Sequence, residues 1–327
     1  MRAIMYHYVR EGRADLPYFR YLHEADFAAQ LDWFAESNRF LEQKEFFAAA
    51  ETGVAPDGLV LTFDDGFSDH FGYVLPELQR RGLWGIFYVP TGPQRSAKLL
   101  DVHRVHILLG RLGGAASLKV MQGAIEPHML AGSIPKEFRD NTYEWQDNED
   151  ATLLFKRTLN YFVSYEWRER VLDRMMMDVF AGEADPFDGY YLTKSQILSL
   201  HESGMVIGSH GVNHLVFNKL PLDQQKQEIN ESFDDLASII GSPVRTFCYP
   251  YGHRYTFTSE TMQFLTDANA KLSFAVDPRD VTDEDLVRQP QALPRYDCNQ
   301  FPHGQTSIGA SRPAESAPLQ APEGNLI

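Results

Sequence analysis

The apolar run Leu59-Val60-Leu61-Thr62-Phe63 ends directly on two acids and a glycine, Asp64-Asp65-Gly66. A short unbroken run of this kind, bounded by a turn residue, reads as a buried strand. It delivers both carboxylates to one rim of a sheet. Like charges that close repel, and a cation or a proton between them relieves the repulsion. Partners for a cation stand much later in the chain, in Gly208-Ser209-His210-Gly211-Val212-Asn213-His214. One carboxylate and two imidazoles form a three-ligand set with an open position, the pattern of a hydrolytic metal site.

The chain has 327 residues, enough for one large α/β domain or two ordinary ones. A hydrophobic content of 43% with 23% charged residues implies a globular core. The formal net charge of −15 argues against a nucleic-acid partner, because phosphate backbones need a basic surface. No apolar run is long enough to span a bilayer. The opening residues lack the apolar core of a secretion signal, and Cys248 and Cys298 are the only cysteines. Two thiols are no disulfide framework, so a reducing, cytoplasmic address is expected.

Strand and helix patterns alternate at both ends of the chain. Residues 3–8 read as a strand, 27–39 and 43–51 as helices, Leu59–Phe63 as a strand, 71–81 as a helix capped by Gly82, and 84–89 as a strand. After the middle, Lys194–Glu202, Leu222–Ile240 and 258–270 read as helices, with strands at 205–207, 244–249 and 272–276. Between these halves, 96–189 is mostly helical, clearest at 105–112, 151–163 and 166–180, with a polar loop at 141–150. This stretch is expected as a helical insertion beside a barrel mouth, the alternative being a separate helical domain. One barrel domain is expected over 1–306. From 307 the text is Ser-, Ala-, Pro- and Gly-rich without periodicity, an expected disordered tail. Successive β-α units close most economically into a barrel, whose chemistry sits at the C-terminal strand ends.

Three strand ends bear that chemistry. Asp65, His210 and His214 form the candidate metal set, the two histidines four apart and so able to share a face of a helical turn. Asp64 is the candidate general base for a water whose pKa the metal lowers. Pro250-Tyr251-Gly252, after the third strand end, can aim a backbone N–H at an oxyanion and an aromatic wall at a bound group. Each piece also has a plain structural alternative: an Asp-rich helix cap, surface histidines, a structural turn.

Taken in order, Thr62-Phe63-Asp64-Asp65-Gly66, His210-x-x-x-His214 and Tyr249-Pro250-Tyr251-Gly252 resemble the polysaccharide deacetylase (NodB-homology) family, carbohydrate esterase family 4. The resemblance runs from about Leu59 to Val281. It implies a distorted (β/α)7 barrel, a divalent metal (usually zinc, with nickel, cobalt or manganese as other fits) and removal of N-acetyl groups from amino sugars. By motif, Asp64 takes the base role and Asp65, His210 and His214 the metal. The departures are specific. Cys248 stands where the family has an arginine that braces the base, leaving Arg245 or Arg295 to substitute. Val281 replaces a usual tryptophan. The Leu-x-His that protonates the leaving amine has no match, the stretches around Arg295 and His303 being poor ones. His7, at the end of the first strand, and His253, after the Pro-Tyr-Gly turn, are the candidate proton donors, with return of the proton through Asp64 as a third route.

The expected activity is metal-dependent removal of an N-acyl group from an amino sugar or its nucleotide- or lipid-linked form. An O-acetyl glycan esterase and a sugar-binding barrel without turnover are the alternatives.

Overall fold

The computed structural model describes residues 1–96, 98–143, 148–183 and 189–310. Ten strands occur among them, in chain order β1 (Arg2–Tyr6), β2 (Val9–Arg10), β3 (Arg20–His23), β4 (Leu59–Phe63), β5 (Ile86–Val89), β6 (Val206–Ser209), β7 (Thr246–Cys248), β8 (Leu272–Phe274), β9 (Tyr296–Asp297) and β10 (Ser307–Ile308). Seven form one parallel sheet in the order β8-β7-β6-β5-β4-β1-β9. Its two ends approach each other just before β9. Phe274 bridges Leu293, with Leu293 N–H donating to Ser273 O (2.8 Å) and Ala275 N–H to Leu293 O (2.8 Å). A few residues later Tyr296 and Asp297 pair with Ile4 and Met5 of β1. The stretch from Leu293 to Asp297 thus spans the gap between β8 and β1, giving the expected distorted (β/α)7 barrel.

Side chains alternate across the barrel wall. Leu59, Leu61 and Phe63 pack outward with Phe27, Leu31, Phe34, Leu78 and Ile197 of the surrounding helices. Val60 faces the other way, clustering with Ile86, Tyr88, Cys248, Phe274 and Leu293 inside. All five residues of β4 are buried, as an apolar strand covered on both faces must be.

Helices Lys194–Glu202 and Leu222–Ile240 occupy the ranges their periodicity predicts. Thr193 and Gln196 form a reciprocal cap at the start of the first. Gly82, at φ +64°, ends helix Leu75–Arg81 as expected. The middle stretch folds as helices Asp101–Ala124, Asp150–Arg157 and Tyr165–Phe180 around their own apolar cluster. That cluster also takes in Phe67, two residues past Asp65, and Tyr8 and Phe19, so the insertion grows out of the barrel rim. Gly113, at φ +74°, breaks the first of these helices where the sequence pattern stops.

The ordered chain runs further than 306. Ser307 and Ile308 pair antiparallel with Tyr21 and Arg20, so β10 extends the small β2–β3 sheet. The rest of the expected tail, 311–327, and the centre of the polar loop, 144–147, lie outside the described residues. No helix among the described residues is long and apolar enough to cross a membrane.

Candidate active site and metal cradle

Parallel register brings the strand ends to one rim. Tyr6 is paired with Phe63, and Asp64 N–H continues the ladder to Tyr6 O at 2.9 Å, setting His7 beside Asp64. Val89 is paired with Ser209, and His210 N–H continues that ladder to Val89 O at 3.1 Å. Ser209 is paired with Phe247, which sets His210 beside Cys248. Three separate sequence motifs thereby become neighbours.

Asp64 and Asp65 leave the strand in different directions. Asp64 continues the inward alternation of β4, and Arg295 meets its carboxylate with two hydrogen bonds, Nη1 to Oδ1 at 2.9 Å and Nη2 to Oδ2 at 2.7 Å. Cys248 Sγ lies 3.4 Å from the same Oδ2. Asp65 takes φ +77°, outside ordinary strand geometry, and turns its carboxylate toward the rim. His214 and Tyr251, at φ +52° and +64°, are likewise in the left-handed region. Half of the six non-glycine residues in that region among the described residues therefore lie at this rim, where strained backbone serves to aim side chains.

Asp65 Oδ1 lies 3.4 Å from His210 Nε2 and 3.2 Å from His214 Nε2. These three donor atoms lie within 4.8 Å of one another, and all three residues are buried. Oδ1 has no hydrogen-bond partner. A buried carboxylate oxygen without a partner, faced by two imidazole nitrogens, fits a divalent cation of the N/O-binding kind. His210 Nδ1–H donates to Cys248 O at 2.7 Å, which fixes the ring with Nε2 toward Asp65, the outer hydrogen bond that a metal-ligating histidine needs. The loop between the histidines is held by Glu228, whose carboxylate accepts from Val212 N–H (2.8 Å), Asn213 N–H (2.9 Å) and Asn213 Nδ2 (2.6 Å).

The electrostatics agree with this division of labour. Burial opposes ionisation of Asp64, but Arg295 outweighs it and holds the carboxyl at about 2. Burial likewise opposes charge on Asp65, and the surrounding imidazoles, His103 foremost, hold it well below the usual carboxylate range. Burial pushes His214 down to about 4, keeping it neutral and able to ligate. On His210 burial also disfavours charge, but Cys248 and the Asp65 carboxylate prevail and raise it, so cation binding would displace a proton there.

The remaining sequence candidates separate clearly. Of the two arginines offered as braces, Arg295 reaches Asp64, whereas Arg245 bonds Ala268 O at the opposite end of β7. His7 Nε2 lies 4.0 Å from Asp64 Oδ2 with its side chain 39% exposed, whereas His253 stacks on Tyr255. Pro250, Tyr251 and Gly252 form the turn after β7, and the Tyr251 ring packs on His214 at 5.0 Å between centroids. Gly252 must stay a glycine, since φ is +71° and a Cβ would meet Val276 at 2.5 Å.

One residue at the site was missed in the sequence. His103, from the first helix of the insertion, is fully buried with Nε2 3.2 Å from Asp65 Oδ2. In the sequence it is a histidine on an apolar helix face among Val102, Val105 and Ile107, a pattern that usually means core packing. Arg168, also from the insertion, is fully buried and donates to the Tyr251 hydroxyl at 3.1 Å.

Comparison with known proteins agrees with the resemblance read from the motifs. Residues 162–274 match the family model for polysaccharide deacetylases. The matched stretch contains both histidines and the Pro-Tyr-Gly turn. Asp64 and Asp65 lie outside it, and the fold joins them to it. The Streptococcus pyogenes deacetylase PplD, solved in complex with acetate, is similar in fold at 17% identity and a TM-score of 0.56, covering 93% of this chain and 95% of that one. A de-N-acetylase from Aggregatibacter actinomycetemcomitans is similar at 12% identity and a TM-score of 0.50, covering 90% and 93%. No curated protein sequence matches this one.

Proposed function

From a chain with the polysaccharide deacetylase fold and a family match over 162–274, we propose a metal-dependent hydrolase that removes an N-acetyl group from an amino sugar. The observation that carries this reading is the pairing of two jobs at one strand end. Asp65 faces two buried imidazoles, and Asp64 beside it faces Arg295 instead. A pure binding site needs no second, separately braced carboxylate.

Asp65, His210 and His214 would hold the cation, zinc being the first choice and nickel, cobalt or manganese fitting the same donors. When bound, it supplies Lewis acidity, which polarises the acyl carbonyl and acidifies a water. Asp64 Oδ2 accepts the proton of the attacking water, and Arg295 keeps that carboxylate ionised and oriented. The Tyr251 backbone N–H is assigned to the oxyanion that forms as water adds to the carbonyl carbon, with Pro250 and Gly252 shaping its turn. His7 Nε2 delivers a proton to the amide nitrogen as the C–N bond breaks, giving acetate and a free amine. His7 takes this role over His253 because it stands beside Asp64.

The address and the form of the substrate belong to the same proposal. Two free, buried thiols fit a reducing compartment, which favours a nucleotide- or lipid-linked or free amino sugar over a wall polymer. The test is zinc-loaded full-length protein incubated with chitin oligomers, UDP-N-acetylglucosamine and O-acetylated sugars, measuring acetate and free amine. Equal release of amine and acetate is expected, with Asp64→Asn keeping its metal and losing about 10²- to 10⁴-fold in turnover. Acetate without amine would make the protein an esterase. Neither product, with metal bound, would make it a binding module.

A further inference from the structure

Resting on the metal reading above, we propose that His103 is a positioning residue that orients Asp65 toward the cation, its ring tautomer set by Tyr191. The cradle would then be completed by the helical insertion rather than by the barrel alone.

The hydrogen bonds around His103 determine where its proton sits. Leu100 N–H donates to the Tyr191 hydroxyl oxygen at 3.0 Å. The hydroxyl proton is then directed to the other neighbour of that oxygen, His103 Nδ1, at 2.6 Å. At the far side of the ring, Nε2 lies 3.2 Å from Asp65 Oδ2, and an ionised carboxylate oxygen only accepts. The Tyr191 contact sets the tautomer, a lone pair on Nδ1 and the proton on Nε2, and Nε2 stands at ion-pair distance from Oδ2 without hydrogen-bond geometry. A protonated nitrogen cannot bind a metal, so His103 acts on the carboxylate and is not a ligand. Nε2 stands beside Oδ2, and Oδ1 is the oxygen that faces His210 and His214.

The backbone supports the same conclusion. Residues just past the C-terminal end of the insertion are pinned to the loop that carries Asp65. Leu192 N–H donates to Gly66 O at 2.9 Å, and Ser68 N–H donates to Tyr190 O at 3.0 Å. Phe67 bridges Tyr191, and the Phe67 ring packs on His103 at 4.8 Å between centroids. His103 and Tyr191 are far apart in sequence, yet both meet Phe67, two residues past Asp65. Groups that stand behind a ligand in this way fix its direction and so set metal affinity.

The test is zinc affinity of the full-length chain, by competition with a chromogenic chelator, together with X-ray absorption of the zinc-loaded protein. His103→Leu is expected to weaken zinc binding about 10- to 100-fold while the number of coordinated imidazoles stays that of the parent. His103→Gln, which keeps an N–H at the place of Nε2, recovers most of the loss. Tyr191→Phe removes one hydroxyl only and weakens binding in the same direction, and it carries the test if His103→Leu does not fold. Unchanged affinity in His103→Leu, or in Tyr191→Phe should His103→Leu not fold, overturns the inference, as does loss of one coordinated imidazole. A parent chain that binds no zinc overturns the metal reading itself, and this inference with it.

Discussion

Arg295 and Asp64 form a two-pronged ion pair, fully inside the barrel, across the seam where the sheet closes. Arg295 also donates to Thr62 Oγ1 at 2.9 Å and lies over the Tyr88 and Phe274 rings, so its guanidinium is held on several sides. The same residue therefore links the closure of the barrel to the state of the proposed base. Arg295→Met is expected to cost about 3–5 kcal/mol, because it leaves a buried carboxylate unpaired. Arg295→Lys keeps the charge but not the fork, and is expected to fold better than Arg295→Met while still losing turnover. Urea unfolding and amine release on the three proteins check this. Arg295→Lys with parental turnover would remove Arg295 from the mechanism.

Glu228 gives a second prediction, away from the reacting atoms. Its carboxylate accepts two backbone N–H groups from the loop between His210 and His214. Glu228→Ala leaves those donors without their partner, at about 1–3 kcal/mol for a buried group. The loop then holds His214 less firmly, although Glu228 itself touches no proposed ligand. Weaker zinc binding with unchanged helical content is expected, read by chelator competition and far-ultraviolet circular dichroism. Parental zinc affinity would show that the loop is rigid without this carboxylate.

How far the sequence could be read depended on how local the signal was. Leu59–Phe63, Lys194–Glu202 and Leu222–Ile240 have complete periodic patterns, and their limits coincide with the structure. The strands Val9–Arg10 and Ser307–Ile308 are two residues long and exist only through pairing with Arg20–His23. No local pattern can mark them, which is why the tail was expected to begin too early. The proposed metal set was legible because each candidate ligand follows a strand in a recognisable motif. Arg295 was visible only as one of two options, since the choice depends on which strand closes the barrel. His103 could not be found, because its link to Asp65 is made by an insertion whose packing no single-chain pattern reports.

Removing the metal should loosen the rim. Asp65, His210 and His214 are buried and face one another, so a cation that binds the folded cradle and not the unfolded chain adds stability. At a free concentration one hundred times the dissociation constant the gain is about 2.7 kcal/mol. Chelated protein is therefore expected to melt at a lower temperature than zinc-loaded protein. His214→Ala should abolish the difference. A melting temperature indifferent to chelator and zinc would count against the cradle.

His70 provides the clearest pH prediction, because it lies in the core and takes no part in the proposed chemistry. Its ring is fully buried against Phe63, Phe67 and Phe87, and Nε2–H donates to His7 O at 2.9 Å. Burial lowers it from 6.5 to about 4. Between those values the unfolded chain binds a proton that the folded chain does not, so stability rises with pH across this window. Read downward, the fold has its full His70 contribution above pH 6.5 and loses it progressively toward pH 4, by on the order of 3 kcal/mol. His70→Gln can keep the hydrogen bond to His7 O and cannot titrate. Its melting temperature is expected to fall less steeply than the parent's between pH 6.5 and 4, while the two curves run parallel above pH 7. Parallel curves throughout would mean that His70 binds its proton as readily in the folded chain as in the unfolded one, and that the cavity around it is more polar than its three aromatic neighbours imply.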